Sequence, residues 1–147
     1  MVYTILITGS REIKHRETIA DAIKETWVNA GRQPMVIRHG AARGADRLAG
    51  QIAKQNRDRL TEEVHPANWR LPNGEKDPLA GFTRNQRMVD AGADICLAFL
   101  KRGEKNSGTR DCIRRAKKAG IPVIETWEEF DDPAPEPDTL PEPSQGD

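Results

Sequence analysis

The sequence lacks features that would define several large classes of protein. No stretch approaches the roughly 18 consecutive apolar residues that cross a bilayer, so we expect no transmembrane helix. The two cysteines, Cys96 and Cys112, form no C-x-x-C pair, which favours a reduced, cytoplasmic protein. The three histidines show no metal-ligand spacing, so we expect no metal site. The opening segment MVYTILITGS lacks a basic region and a cleavage site, and it is typical of a strand rather than a signal peptide.

The chain as a whole has no net charge, but its acidic and basic residues are unevenly distributed along it. Residues 131–147 carry six acidic and no basic residues, together with five of the ten prolines, and this composition predicts a disordered tail. Residues 1–130 retain 23 basic and 17 acidic residues. We therefore expect one domain over residues 1–130, with a modest positive surplus that suits an anionic ligand better than a nucleic-acid surface.

Short apolar runs alternate with helical patterns along this domain. The runs predict five strands, at residues 2–8, 35–37, 62–65, 94–100 and 121–124. Helical spacing predicts four helices, at residues 15–30, 45–53, 82–91 and 109–119. Residues 66–81 predict a long loop, of the kind that often serves as a lid or binding loop. The alternation predicts a single Rossmann-like α/β domain with a doubly wound parallel sheet of about five strands in the order 3-2-1-4-5.

Three turns rich in glycine or small residues follow predicted strands one, two and four, and each precedes a helix. In the predicted order strands one and four are neighbours with diverging crossovers, so the turns meet at the carboxyl edge of the sheet, where such sheets bind ligands. Glycine permits close backbone approach, and helix N-termini attract anions. We therefore expect a phosphate-bearing ligand. The expected binding residues in these turns are Gly9, Ser10, Arg11, Gly40, Ala41, Gly44, Ala45, Asp46, Ser107, Gly108 and Thr109.

Each turn taken alone also has a structural explanation. The turn after strand one suits an ordinary bend, Gly40–Gly44 suits tight strand–helix packing, and Ser107 with Thr109 suits a helix cap. Asp46 suits a carboxylate in the first turn of a helix as well as a contact to a ribose hydroxyl. These alternatives stay open at the level of sequence. Three charges after the fourth strand are expected to be solvated: Lys101, Arg102 and Lys105.

Taken in order, these segments resemble the SLOG superfamily and, within it, the YspA-like group. The matching pieces are Thr8-Gly9-Ser10-Arg11, His39 through Asp46, Arg84 through Met88, the Ala93-Asp94 strand, and Ser107-Gly108-Thr109. The resemblance covers about residues 2–125. It implies a Rossmann-like fold that binds a nucleotide or an NAD- or ADP-ribose-like molecule, adds Arg84 and Asn85 to the ligand-binding residues, and suggests a homo-oligomer, as in related folds.

One departure from the superfamily concerns catalysis. Its cytokinin-activating phosphoribohydrolases carry a P-G-G-x-G-T-x-x-E segment with a catalytic glutamate, and when Gly108-Thr109 is aligned with its G-T the glutamate position holds Cys112. A buried cysteine does not stabilise an oxocarbenium ion as a carboxylate does. The catalytic residues therefore remain unknown, and the resemblance favours a sensor or ligand-binding domain for a phosphorylated, nucleotide-derived small molecule, with no other cofactor.

Two alternatives accompany this hypothesis. The first is a hydrolase of the N-glycosidic bond in nucleoside monophosphates, with Asp46, Glu104 or Asp111 as the candidate carboxylate. The second is a DNA-binding accessory protein similar to DprA. We favour this last one least, because DNA binding needs a continuous basic surface and the basic surplus is scattered.

Overall fold

The computed structural model describes residues 2–130, which form one five-stranded sheet with two helices packed on each face. The elements are β1 (Tyr3–Gly9), α1 (Arg16–Asn29), β2 (Met35–His39), α2 (Ala45–Gln55), β3 (Leu60–Val64), α3 (Ala80–Asp90), β4 (Ile95–Lys101), α4 (Ser107–Lys118) and β5 (Val123–Glu128). All strand pairs are parallel, and the order is β3-β2-β1-β4-β5. The predicted fold class and strand order are confirmed. The tail predicted for residues 131–147 lies outside the described residues.

Alternate residues of the central strands bury apolar side chains on both faces of the sheet. In β1, Ile5 and Ile7 pack against α1 and α2, whereas Leu6 packs on the opposite face against α3 and α4. Each such side chain contributes about 1.5–3 kcal/mol when it is fully buried. The middle of a strand that is covered on both faces has no position that faces solvent, which explains the continuous apolar runs at the centres of β1 and β4. None of the helices in residues 2–130 is long and apolar enough to cross a membrane.

The sequence-based boundaries differ from the structure mainly at the edge strands. β5 extends over Val123–Glu128, whereas the apolar pattern placed it at residues 121–124 with Trp127 beyond its end. β5 pairs only with β4, and it contains exposed residues that break the apolar run. β3, the other edge strand, begins at Leu60 rather than at residue 62. Edge strands tolerate polar residues, so their ends are poorly marked in a sequence.

The predicted loop between β3 and α3 contains an ordered hairpin, which we call the 69–77 hairpin. Its backbone is closed by hydrogen bonds from Asp77 N to Trp69 O and from Leu71 N to Glu75 O, and by a bridge between Arg70 and Lys76. The chain then enters α3 at Ala80. The hairpin therefore holds Trp69 in a defined position near the carboxyl edge of the sheet.

Candidate functional site

A cavity of about 650 Å³ opens at the carboxyl ends of β1 and β4, where the two crossovers diverge. Cavities of 300–1,000 Å³ commonly hold small molecules. Nine of the thirteen residues predicted for the site line this cavity: Gly9, Ser10, Arg11, Asp46, Arg84, Asn85, Ser107, Gly108 and Thr109. The other four, Gly40, Ala41, Gly44 and Ala45, are absent from its lining. The structure thus brings the three predicted turns together, but some of their residues face away from the cavity.

One wall of the cavity is the N-terminus of α4. The residue before the helix, Asn106, has a left-handed backbone (φ 55°) and makes no capping hydrogen bond with its side chain. Its side chain instead closes the preceding loop, because Oδ1 accepts from Lys101 N (3.0 Å) and Nδ2 donates to Lys101 O (3.0 Å) and Glu104 O (2.9 Å). The first N–H groups of α4 therefore lack that cap and carry the partial positive charge of the helix.

The surroundings of this N-terminus are open. A Cβ atom added to Gly108 would find no heavy atom within 4 Å, and Ser107, Gly108 and Thr109 all line the cavity. The alternative that Ser107 or Thr109 caps the helix is wrong, because both residues lie inside α4 and Asn106 occupies the cap position. Backbone N–H groups at an open helix N-terminus form a favourable site for a phosphate.

Arg84 adds a cationic side chain to the same cavity. Its Nε donates to Asn85 Oδ1 (3.0 Å) and its Nη1 donates to Gly40 O (2.5 Å). Within residues 2–130, no carboxylate lies within ion-pair distance of Arg84. Burial lowers the pKa of Arg84, and the charge of Asp46 acts in the opposite direction. A guanidinium without a bound carboxylate retains N–H donors for an anionic ligand.

Three glycines of the predicted turns occupy closely packed positions, and of these only Gly9 lines the cavity. A Cβ atom at Gly9 would overlap Ala45 Cβ, and one at Gly40 would lie 2.6 Å from Arg84 Cζ. Gly44 has φ +81°, and a Cβ atom there would lie 2.7 Å from the carbonyl carbon of Arg11. Gly44 is absent from the cavity lining, and its Cβ direction points at the turn after β1, whose packing accounts for a glycine at this position. Gly40 thus allows the approach of the Arg84 side chain, and Gly44 allows the approach of the turn after β1.

Asp46 has one satisfied and one unsatisfied carboxyl oxygen. Its Oδ2 accepts from Gly40 N (3.0 Å) and Ala42 N (3.2 Å), whereas Oδ1 is buried and no donor in the described part of the chain reaches it. The side chain lines the cavity although the residue is only 5% exposed. Burial raises the pKa of Asp46, and nearby His39 and Arg84 oppose this effect. The carboxyl group therefore orders the Gly40–Ala42 turn through Oδ2, whereas Oδ1 is buried without a donor, in a residue that lines the cavity.

The two other candidate carboxylates are differently placed. Asp111 is absent from the cavity lining and is held by Asn85 Nδ2 (3.1 Å) and by the guanidinium groups of Arg114 and Arg115 (2.8 Å each). Glu104 is exposed and lines the cavity. The glutamate position of the phosphoribohydrolases falls on Cys112, which is fully buried and does not line the cavity.

Cys112 instead contacts the thiol of Cys96 in the core. A hydrogen bond between the two side chains, together with burial, raises the pKa of Cys96. Both cysteines are free thiols. Their location agrees with a packing role, because neither thiol reaches the ligand cavity.

Sequence reasoning missed the aromatic wall of the cavity. Trp69 and Phe82 line it and remain 38% and 37% exposed, and the guanidinium of Arg11 lies 6.0 Å from the centre of the Trp69 ring. The Trp69 ring packs over Gly81 on α3, where an added Cβ atom would lie in van der Waals contact with it, 3.4 Å from Cη2. The length of the loop before α3 was the only signal in the sequence for this wall.

The loop charges after β4 do not behave as one group. The expectation that Lys101 is solvated is wrong, because it is 3% exposed and its Nζ lies 2.6 Å from Glu128 Oε2. Arg102 lies against Trp127, with 4.5 Å from Cζ to the ring centre. Lys105 alone of the three lines the cavity. No cluster of three or more metal-ligating side chains occurs among residues 2–130.

The fold and the cavity together define a Rossmann-like domain with a candidate ligand site at the switch point of its sheet. The chain belongs to the YspA, cpYpsA-related SLOG family, whose model matches residues 3–71, from β1 into the 69–77 hairpin. The Gene 61 protein of Mycobacterium phage D29 is 46% identical to it over 123 residues, which cover 82% of this chain and 93% of the relative. The resemblance to the SLOG superfamily is confirmed.

Proposed function

We propose that this domain binds a phosphorylated, nucleotide-derived small molecule, such as a nucleotide or an ADP-ribose- or NAD-like compound, and acts as a sensor or ligand-binding domain. The observation that carries the proposal is that one cavity is lined both by anion-binding groups, which are the N-terminus of α4, Arg84 and Lys105 (the cationic wall), and by the exposed rings of Trp69 and Phe82 (the aromatic wall). A phosphate and a nucleobase require these two environments.

The cationic wall supports the phosphate end of the ligand. The open N-terminus of α4, Arg84 and Lys105 all line this part of the cavity. A helix N-terminus contributes about 0.3–1 kcal/mol toward a nearby anion, and a hydrogen bond to a charged group adds about 1.5–3 kcal/mol. These contributions together favour a phosphoryl group over a neutral ligand.

The aromatic wall supports the base end. Trp69 and Phe82 expose ring surface to the cavity although both rings belong to ordered segments of the chain. Stacking of a base on an aromatic side chain contributes about 1–3 kcal/mol and tolerates any base. The proposal therefore specifies a nucleotide-like ligand without specifying its base.

A second function, hydrolysis of the N-glycosidic bond of a nucleoside monophosphate, has one supporting observation. Asp46 lines the cavity and has a carboxyl oxygen without a partner among the described residues, and burial raises its pKa, as a general acid requires. Incubation of the full chain with nucleoside monophosphates, followed by chromatography for free base, tests this function. Absence of free base contradicts hydrolysis and has no bearing on binding.

The binding proposal predicts that two matched substitutions at Gly108 differ in their effect on affinity. Gly108→Asp places a carboxylate where a phosphate would lie, whereas Gly108→Asn adds a side chain of the same size without charge, and the open space at Gly108 accommodates both. Two like charges about 4 Å apart near a protein surface repel by about 1–4 kcal/mol. We therefore expect Gly108→Asp to weaken binding at least about tenfold, a loss of about 1.4 kcal/mol, relative to Gly108→Asn.

Isothermal titration of the full chain with AMP, ADP-ribose, cyclic ADP-ribose and NAD provides the measurement, and adenosine serves as the ligand without phosphate. Circular dichroism checks that both variants fold. Equal affinities of the Asp and Asn variants would contradict the location of the phosphate. A lack of binding by every phosphorylated compound at millimolar concentration would contradict the proposed function itself.

A further inference from the structure

The two carboxyl oxygens of Asp46 have unequal surroundings in a rigid setting. Oδ2 is fixed by the N–H groups of Gly40 and Ala42, so the orientation of the whole carboxyl group is determined. Oδ1 then points to a position where no described residue offers a donor, and its side chain lines the cavity. Buried oxygens without a partner are rare in folded proteins, and each one calls for an explanation.

Packing alone does not explain the free oxygen. The role of Asp46 in ordering the Gly40–Ala42 turn uses only Oδ2, and an uncharged acceptor would meet that requirement. Desolvation of the carboxyl group is unfavourable, as the raised pKa of Asp46 indicates. The charge of Asp46 also acts on His39 and Arg84, but neither side chain donates a hydrogen bond to Oδ1, so this oxygen is left for a donor on a bound molecule.

The chemistry of Oδ1 restricts what that molecule presents. A carboxylate oxygen accepts a hydrogen bond and repels an anion, so a phosphate belongs elsewhere, at the N-terminus of α4. The partner of Oδ1 is then a hydrogen-bond donor on the same ligand. In a nucleotide, the ribose hydroxyl groups are the uncharged donors that lie between the phosphate and the base.

We propose that Asp46 Oδ1 accepts a hydrogen bond from a ribose hydroxyl group of the ligand, so that the site selects ribonucleotides over deoxyribonucleotides. The inference rests on the proposed function, because it assumes a phosphorylated nucleoside in this cavity. It makes Asp46 a determinant of specificity, and it assigns the two oxygens of one side chain to two different tasks.

The test compares wild-type protein with Asp46→Asn. The amide oxygen of asparagine retains the acceptor for Gly40 N and Ala42 N, and its NH₂ group replaces the free acceptor with a donor. The probes are AMP and ADP-ribose, each with analogues that lack a single 2′- or 3′-hydroxyl group, titrated calorimetrically against the full chain. Asp94→Asn is the matched control. The side chain of Asp94 also accepts a hydrogen bond from a backbone N–H group, that of Thr4 (2.7 Å). Asp94 precedes the first residue of β4 and so lies at the opposite edge of the sheet from the cavity.

We expect wild-type protein to prefer a ribonucleotide at least tenfold over one of its deoxy analogues. Asp46→Asn should bind the ribonucleotide only as tightly as it binds the deoxy analogue. The affinity for the deoxy analogue should differ less than threefold between wild-type protein and Asp46→Asn. Asp94→Asn should keep the wild-type preference. Equal affinities of the wild-type protein for the ribonucleotides and all deoxy analogues would overturn this inference alone, even if Asp46→Asn failed to fold. Failure of every phosphorylated nucleoside to bind would overturn the proposed function and this inference together.

Discussion

Gly44 meets two conformational demands at one position. Its φ of +81° lies in the left-handed region, and its missing side chain leaves room for the backbone of Ser10 and Arg11. Gly92 has nearly the same φ, +82°, but a Cβ atom there would have no neighbour within 4 Å. Gly44 also has ψ −126°, outside the left-handed helical well, so a side chain there meets both a less tolerated backbone conformation and a steric clash, whereas Gly92 has only the positive φ.

We predict that Gly44→Ala destabilises the protein more than Gly92→Ala does. Left-handed backbone costs a non-glycine residue about 1–2 kcal/mol, which is the expected loss for Gly92→Ala. Gly44→Ala adds an overpacking cost of about 1–3 kcal/mol, because the new Cβ meets backbone atoms that cannot rotate away. Urea denaturation measures both free energies of unfolding. Equal losses in the two variants would show that the turns are not packed as tightly as described.

At the scale of the element, the 69–77 hairpin places an aromatic ring on the cavity. The hairpin is short and polar, yet backbone hydrogen bonds close it, and Lys76 Nζ lies 5.9 Å from the centre of the Trp69 ring. Arg11 approaches the same ring from the turn after β1. The ring is therefore held between a cationic group of the hairpin and one of the binding turns.

We predict that Trp69→Leu weakens binding of ADP-ribose but not of ribose 5-phosphate. Loss of one stacking partner costs about 1–3 kcal/mol, and only a ligand with a base has this contact to lose. Trp69→Phe preserves a ring and should bind ADP-ribose nearly as well as the wild-type protein does. Calorimetric titration of both ligands provides the comparison. An equal loss of affinity for both ligands in Trp69→Leu would mean that the hairpin shapes the cavity rather than stacking on a base.

At the scale of the whole molecule, Glu128 joins three parts of the domain. Its carboxylate on β5 accepts from Lys101 Nζ (2.6 Å) on β4, and from the N–H groups of Lys14 (3.1 Å) and His15 (2.9 Å) before α1. Glu128 is 4% exposed. Burial acts to raise the pKa of Glu128, but the hydrogen bonds from Lys101 and the two backbone groups outweigh it and lower the pKa.

We predict that Glu128→Gln destabilises the protein mainly at neutral pH. Removal of one partner of a buried ion pair costs about 3–5 kcal/mol. The pKa of Glu128 in the folded protein lies below the unfolded value of about 4.3, so its stabilisation is complete above that pH and is lost as the pH falls through the folded pKa. The stability difference between wild-type protein and variant should therefore narrow below about pH 4.

Denaturation curves measured from pH 7 to pH 3 test this prediction. Glu129→Gln is the control, since Glu129 is exposed and lies 3.5 Å from Arg102, a surface pair worth about 0–1 kcal/mol. A stability difference for Glu128→Gln that stays constant over the whole range would contradict the assignment of this carboxylate as ionised and buried.

The fold followed from local patterns because each central strand is buried on both faces and each helix has one apolar face. Edge strands were less predictable: β5 carries exposed residues such as Glu125, so its end was placed four residues too early. The meeting of the three turns followed from strand order alone. The packing roles of Gly40 and Gly44 did not follow from strand order, because each depends on a neighbour that is distant in sequence. Gly40 packs against Arg84, and Gly44 packs against Ser10.

The sequence by itself determined the parallel sheet, its order and the edge at which the glycine-rich turns gather, because apolar periodicity and crossover handedness act through short segments and general geometry. Only the tertiary structure decided which turn residues face the cavity, that Trp69 and Phe82 form its second wall, and that Lys101 is buried against Glu128. These outcomes depend on contacts between distant segments, and no local pattern in the chain encodes the direction in which a side chain points after the domain has closed.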